Sequence, residues 1–343
     1  MRENAINCAV LGASGYTGAE LMRILATHPR FRVTAATADR KAGQPLADVF
    51  PHLSHLGLTL TALSEVDFDA VDLIFCALPH TTTQALIAGL PERLKIVDLS
   101  ADFRLADSDR YAEWYGRPHL APALQKSAVY GLPEIYRAQI KAARLVANTG
   151  CYVATALIPL IPLLRDRVID PASIIIDAKS GVSGAGRGLK EAMLFCEVAD
   201  GFNAYGVGNH RHMAELDQEL SKAAGVDIRP TFTPHLLPQN RGILATIYVQ
   251  GDAEKIDAVW RKTYGNEPFV RLRPLGQTPA TRHVRGSNFI DLGVASDRAP
   301  GRAIIVSTLD NLVKGAAGQA IQNANLVMGL DETTGLMLAP VFP

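Results

Sequence analysis

A thiol and a pair of histidines are the side chains of this chain best suited to covalent chemistry. Cys151 stands in NTGCYVAT at 148–155, where a turn-like stretch runs into an apolar helical pattern over 154–164. Asn148, Thr149 and Gly150 are turn and helix-cap types. A thiol at a helix start feels backbone N–H groups and the positive end of the helix dipole, and both favour the nucleophilic thiolate. The competing reading is a core cysteine among small residues. His210 and His212 lie in GNHRHMAEL at 208–216, ahead of a second helical pattern. Histidine exchanges protons near neutral pH, so the pair His210 and His212 reads as the source of a general acid/base facing Cys151. The competing reading is a polar helix start. Two histidines at i and i+2 with no third ligand nearby are a poor metal site, so no metal is expected.

A second group of residues suits anions. GASGYTG at 12–18 follows the first apolar run, 6–11, and opens a helix. Its spacing is GxxGxxG rather than GxGxxG. Small residues do the same work in either, letting backbone approach a pyrophosphate at a helix N-terminus. Gly12, Ser14, Gly15, Tyr16, Thr17 and Gly18 therefore read as cofactor-binding. Asp39 is placed to bond a ribose 2′-hydroxyl, as in NAD, whereas Arg40 and Lys41 suit the 2′-phosphate of NADP. The two basic residues also fit a solvated loop. Arg104, in DLSADFRL at 98–105, can clamp a phosphate or carboxylate through two parallel hydrogen bonds, or tie Asp98 or Asp102 into the fold. Arg187 and Arg211 share that ambiguity. His80 reads as a cofactor neighbour or a loop-packing residue.

These residues need a scaffold. Strands are expected at 6–11, 31–37, 71–77, 94–99 and 144–147, with helices at 19–26 and 81–90. Such alternation with few hairpin signals predicts a parallel sheet wound on both faces. After Cys151 the pattern changes. Strands at 173–179, 228–234, 241–250 and 303–308 and helices at 252–264 and 311–329 predict an α+β domain with an open, mostly antiparallel sheet. Pro159 and Pro162 are expected to kink or shorten the helix at 154–164. The last helix carries Gly315 and Gly318, which permit close packing, and the expected division is 1–148, 149–310 and a C-terminal helix and tail, 311–343, packing back on the first domain.

Composition narrows the class. The 343 residues are 48% hydrophobic, enough for a large core, and 34 basic residues balance 34 acidic ones. That balance suggests neither nucleic acid nor an anionic membrane as partner. No apolar run approaches the roughly 20 residues of a membrane span. The first residues lack the shape of a signal peptide. Cys8, Cys76, Cys151 and Cys196 are widely spaced, with no CxxC pair, so the chain reads as a protein of a reducing compartment, the cytoplasm.

Taken together, the motifs resemble the N-acetyl-gamma-glutamyl-phosphate reductase (N-acetylglutamate semialdehyde dehydrogenase) family along the whole chain. The resemblance is carried by GASGYTGAEL at 12–21, ALPH at 77–80, DLSADFRL at 98–105 and YGLPE at 130–134. It continues through NTGCYVAT at 148–155, SGVSGAGRG at 180–188, HRHMAEL at 210–216, PHLLPQNRGILAT at 234–246 and DNLVKGAAGQA at 310–320. Thr149 departs from a common proline, and Met213 and Ala214 from a common Thr-Pro. The resemblance implies a Rossmann-like parallel-sheet nucleotide domain plus an α+β domain like that of aspartate-semialdehyde dehydrogenase. It implies NADP(H) as cofactor and a small acyl-phosphate substrate of arginine biosynthesis. Cys151 would form a thioester that the cofactor reduces, His210 would move protons with His212 the less favoured alternative, and the Cys151 N–H would help stabilise the oxyanion. Arg104 would hold phosphate, with Arg211 and His212 also on the substrate. Ser183, Gly184, Gly186 and Asn311 would line the cofactor. A homodimer or homotetramer is expected.

Neighbouring activities share parts of this signature. A reductase of carrier-linked aminoadipyl phosphate has the same chemistry but needs a basic surface for an acidic carrier, and this neutral chain has no basic run. Aspartate-semialdehyde dehydrogenase shares the expected fold. A cysteine hydrolase would leave the glycine turn incidental, and a nucleotide-sensing regulator would need neither Cys151 nor His210.

Overall fold

The structure, a computed structural model, describes residues 5–342; residues 1–4, part of the segment read as lacking a leader shape, lie outside the described residues. The chain forms two units. One holds the described residues up to Thr149 together with Ala316–Met337, and the other holds Gly150–Gly315 together with the described residues from Leu338 on. The tail expected as one piece, 311–343, is thus divided between them.

The first unit is built on six strands: β1 (Ile6–Leu11), β2 (Phe31–Ala36), β3 (Leu73–Cys76), β4 (Lys95–Asp98), β5 (Val129–Gly131) and β6 (Leu145–Asn148). They lie in the order β2-β1-β3-β4-β6-β5, every pair parallel. All four residues of β3 and of β6 are buried, as expected of strands covered on both faces. The chain passes from β1 to β2 on one side and returns to β3 on the other. Ligands of open parallel sheets collect beyond the carboxyl ends at such a reversal, and the glycine turn after β1 lies there. The helix expected at 81–90 is shorter, Thr83–Ala88. Thr81 takes a left-handed φ of 71°, which ends any helix at that point, and its N–H is held by Asp102 Oδ1 at 2.6 Å. β5 escaped the sequence reading because it is only three residues long, two of them, Tyr130 and Gly131, inside the YGLPE motif.

The second unit carries β7 (Ile175–Gly181), β8 (Asn203–Ala204), β9 (Thr231–Leu237), β10 (Ile243–Gln250), β11 (Val270–Leu272), β12 (Ile290–Ser296) and β13 (Arg302–Leu309). The order is β11-β12-β13-β10-β7-β9-β8. Antiparallel pairing prevails, but β11 with β12 and β7 with β9 are parallel, so the sheet is mixed. Helices Cys151–Arg165, His212–Ala224 and Ala253–Tyr264 pack around it, the first against both other helices and β10.

Helix Cys151–Arg165 starts three residues earlier than expected and runs through both prolines without being shortened. Pro162 has no N–H to offer the carbonyl of Ile158 one turn back. The buried Tyr264 hydroxyl donates to that carbonyl instead, at 2.5 Å, and Trp260 Nε1 donates to the Pro159 carbonyl at 2.9 Å. The Tyr264 hydroxyl, from a neighbouring helix, thereby satisfies the carbonyl that Pro162 leaves open. The helix expected at 311–329 opens instead with a π-helical turn, Val313–Ala317, in which the Gly315 N–H bonds the Asp310 carbonyl; the α-helix proper is Gly318–Val327.

Candidate active site

Gly150 is the N-cap of the helix that Cys151 begins, and no side chain caps it. Two glycines fit the backbone around the thiol. A β-carbon on Gly315 would lie 2.7 Å from the Cys151 Cβ, so the π-helical turn packs directly on the cysteine. A β-carbon on Gly150 would lie 2.5 Å from His212 Nε2 and under 3 Å from two ring carbons. The His212 imidazole therefore stands against the residue preceding the cysteine. Cys151 is half-buried, Cys196 exposed, and Cys8 and Cys76 fully buried. Burial pushes the Cys8 thiol up to about 12 and the Cys76 thiol well above its ordinary value, which leaves both unreactive.

The two histidines occupy different surroundings. His210 is ringed by Tyr152, Tyr205 and Phe232, at centroid distances of 5.8, 5.5 and 5.6 Å. Its Nδ1 accepts the His212 backbone N–H at 3.1 Å, at the start of helix His212–Ala224. Burial, and then the neighbouring Arg211 charge, lowers its pKa to about 4. At neutral pH His210 is thus an uncharged ring that caps a helix. Of the two rings, it is that of His212 that lies on Gly150. Sequence spacing carried no signal for this difference in surroundings, because the directions of two rings at i and i+2 are set by packing. Tyr205 is a further neighbour that the sequence did not single out. Its hydroxyl donates to that of Tyr152 at 3.2 Å, which in turn donates to the His235 carbonyl at 3.0 Å. Burial raises both phenols, Tyr205 to about 12, with the Cys151 charge a lesser contribution.

The glycine-rich loop after β7 is held by a turn at 239–242. Val182 N–H bonds the Gln239 carbonyl at 2.9 Å and Ser183 N–H bonds the Asn240 carbonyl at 3.2 Å. Gly181 has no room for a β-carbon, which would meet Gln239 O at 2.7 Å. Buried Asn311 bridges the two segments, its Nδ2 donating to Ser183 Oγ at 2.9 Å and its Oδ1 accepting Gly242 N–H at 2.8 Å. Both ends of that amide are therefore engaged in shaping the loop. Gly186 is left-handed at φ 80°, while Gly184 and Arg187 are exposed.

In the first unit, the turn after β1 has the form a pyrophosphate requires. Gly12 is left-handed, φ 88°, and its β-carbon would lie 2.5 Å from the Ala77 carbonyl oxygen. Gly18, in helix Tyr16–Leu25, would collide with the Gly12 carbonyl at the same distance. At Gly15 nothing stands nearer than 3.9 Å, so the mouth of the turn is open, and no side chain caps the helix. Thr37 fixes the turn from β2's end, accepting Gly12 N–H at Oγ1 and Ala13 N–H at its carbonyl. Ser14, Tyr16 and Thr17 sit at this mouth by chain position. Asp39, Arg40 and Lys41 follow β2 and are all exposed.

The segment after β4 is a polar knot. Asp102 accepts Thr81 N–H, Thr83 N–H, Thr83 Oγ1 and the Tyr111 hydroxyl, while Asp98 accepts from Ser100 and Thr83. Burial lifts Asp98 to about 6. Arg104 is 6% exposed and donates from Nη2 to the Leu99 carbonyl at 2.9 Å. His80 Nδ1 accepts Ala101 N–H at 3.0 Å, which ties its loop to the same knot. Thr149, where relatives of the resembled family often have proline, is fixed by a short hydrogen bond from Gln319 Nε2. Among the described residues no three His, Cys, Asp or Glu side chains are grouped to hold a metal ion.

Family models of the semialdehyde dehydrogenase NAD binding domain and of the semialdehyde dehydrogenase dimerisation domain match residues 7–143 and 151–311. The chain is 58% identical over 339 residues to the N-acetyl-gamma-glutamyl-phosphate reductase of Cereibacter sphaeroides (strain KD131 / KCTC 12085), covering 98% of this chain and 99% of that protein. It is 57% identical over 340 residues to that of Paracoccus denitrificans (strain Pd 1222), with the same coverage. Among solved structures it is similar to aspartate semialdehyde dehydrogenase II from Vibrio cholerae, with TM-score 0.70 at 20% identity over 95% of this chain and 99% of that one. It is also similar to aspartate semialdehyde dehydrogenase with NADP from Candida albicans, with TM-score 0.70 at 16% identity over 94% and 98%.

Proposed function

Because this chain belongs to the N-acetyl-gamma-glutamyl-phosphate reductase family, we propose that it reduces N-acetyl-gamma-glutamyl phosphate to N-acetylglutamate 5-semialdehyde and phosphate, with NADPH, in arginine biosynthesis. The observation that carries the mechanism is the half-buried thiol at the first position of a helix, with an imidazole against the preceding glycine. Cys151 attacks the acyl carbon, the carbonyl becomes an oxyanion, and phosphate leaves as the thioester forms. Backbone N–H groups at the helix start favour that oxyanion. The bound cofactor supplies the hydride that reduces the thioester. Collapse of the thiohemiacetal frees the aldehyde and returns Cys151 as thiolate, and His212 holds the proton exchanged in these steps. His210 supports it by fixing the start of helix His212–Ala224. Gly12, Ser14, Gly15, Tyr16, Thr17 and Gly18 hold the cofactor's pyrophosphate, and Ser183, Gly184 and Gly186 its nicotinamide end, with Asn311 shaping that loop. Arg211 serves the substrate.

The first unit is the nucleotide-binding domain and the second the catalytic one. Assembly into a homodimer or homotetramer belongs to the same reading. Its support is the dimerisation-domain match and the exposed Leu189, Phe195, Phe202 and Val207. The cytoplasm is the proposed compartment, in keeping with four free thiols and with no helix among the described residues long and apolar enough to cross a membrane. The deciding assay supplies N-acetylglutamate semialdehyde, NADP⁺ and phosphate and follows NADPH. Faster turnover of aspartate semialdehyde or of the aminoadipate analogue would reassign the substrate.

Arg40→Ala should weaken NADPH binding about tenfold, the low end for a charge-assisted bond at an exposed site, and leave NADH binding unchanged. Titrations with the two cofactors check this, and equal losses would make Arg40 structural. Arg104→Ala should cost about 10- to 150-fold in the specificity constant for phosphate in the reverse reaction, and Arg104→Lys less, since lysine keeps the charge but not the fork. A lowered melting temperature with an unaltered phosphate constant would confine Arg104 to the knot around Asp102.

A further inference from the structure

We propose that Glu215 is a positioning residue for the nucleophile, completing from another helix the cap that the Cys151 helix lacks. The inference rests on Cys151 as nucleophile and goes beyond it to what fixes that residue's backbone. A helix start is commonly secured by a side-chain oxygen at the N-cap and a Glu or Gln at N3 reaching back to the N-cap N–H. Here the N-cap is Gly150, with no side chain, and N3 is Val153, which cannot reach back. The space where an N-cap side chain would stand is filled by the His212 ring. The Gly150 N–H is nevertheless bonded: Glu215 Oε2 accepts it at 3.3 Å. Glu215 is 1% exposed and lies three residues after His212, on the same face of helix His212–Ala224.

One turn of that helix thus grips Gly150 twice, by a ring against its Cα and by a carboxylate on its N–H. The geometry has a chemical use. A cap supplied by the cysteine helix itself would place an oxygen over the N–H groups beside the thiol, where the developing oxyanion needs them. A carboxylate bonded one residue earlier secures the peptide leading into Cys151 and keeps its own oxygen on the Gly150 N–H. The negative charge at a helix N-terminus is also favourable.

Three variants of the full chain test this: Glu215→Gln, Glu215→Asp and Glu215→Ala. Glutamine keeps the length and an acceptor oxygen, and aspartate keeps the charge but is one methylene short. We expect Glu215→Gln to retain kcat within about fivefold, the difference between a neutral and a charge-assisted bond. Glu215→Asp and, where it folds, Glu215→Ala should lose about 10- to 150-fold in kcat with the KM for NADP⁺ unchanged. The iodoacetamide rate at Cys151, resolved from Cys196 by mass spectrometry, should fall in the same order. This rate needs no substrate, so it decides the matter even if the proposed reaction proves wrong. Wild-type kcat and alkylation in Glu215→Asp, or a Glu215→Gln variant as impaired as Glu215→Asp, would overturn the proposal.

Discussion

Cys151→Ser should abolish turnover, by several decades in kcat, while the protein stays folded and binds NADPH as before. A hydroxyl at its ordinary pKa is a far poorer nucleophile than a thiolate, and loss of a nucleophile that acts as a unit with its base removes most of the catalytic advantage. The fold has little reason to respond, because the serine oxygen replaces sulfur at a half-buried site and the close packing of Gly315 is against the β-carbon, which is kept. Single-turnover and steady-state rates with unchanged melting temperature are the measurements. A serine enzyme retaining more than about a tenth of the wild-type rate would exclude the covalent route, given the decades expected.

The second large effect separates the histidines. His212→Asn should lower kcat by about 10²- to 10⁴-fold, the usual worth of a positioned general acid/base, and flatten the pH–rate profile. His210→Asn keeps a polar group near the His212 N–H that His210 Nδ1 now accepts, so it should act mainly on stability. Its pKa of about 4, set by burial and Arg211, already keeps that ring neutral across the working range. The reverse pattern, with His210→Asn the more damaging to kcat at equal stability, would assign the acid/base role to His210, as the sequence suggested.

The parallel sheet was legible because β1, β3, β4 and β6 are short apolar runs, and the glycine turn because its residues follow β1 and open a helix. Cys151 was legible for the same local reason: turn residues, then an apolar helical run. What escaped was long-range. The prolines of helix Cys151–Arg165 read as breakers, since the Tyr264 donor that rescues the Ile158 carbonyl lies 106 residues away. Gly315 read only as a small packing residue, because nothing local shows that a π-helical turn brings it to the cysteine. The second sheet is mostly antiparallel, as expected, but its two parallel pairs, β11 with β12 and β7 with β9, leave no short-range pattern. Glu215 fell inside a quoted motif, but only tertiary contact shows that it faces Gly150.

The two buried thiols have a use beyond inertness. Cys8 on β1 and Cys76 on β3 lie on adjacent strands of the parallel sheet, both fully covered. An alkylating reagent can reach them only in molecules whose sheet has opened. Cys151 and Cys196, in the other unit, are half-buried and exposed in the single chain, so labelling either does not require that sheet to open. A single chain with its natural cysteines therefore carries an internal clock. In mild denaturant the first two labels mark the native ensemble, and the arrival of the third and fourth times the opening of the nucleotide-domain sheet. Joint arrival means that β1 and β3 separate in one cooperative step, and staggered arrival means that the sheet frays strand by strand. Binding the cofactor should slow that clock through mass action on the native state alone, turning ligand affinity into a count of alkylated cysteines.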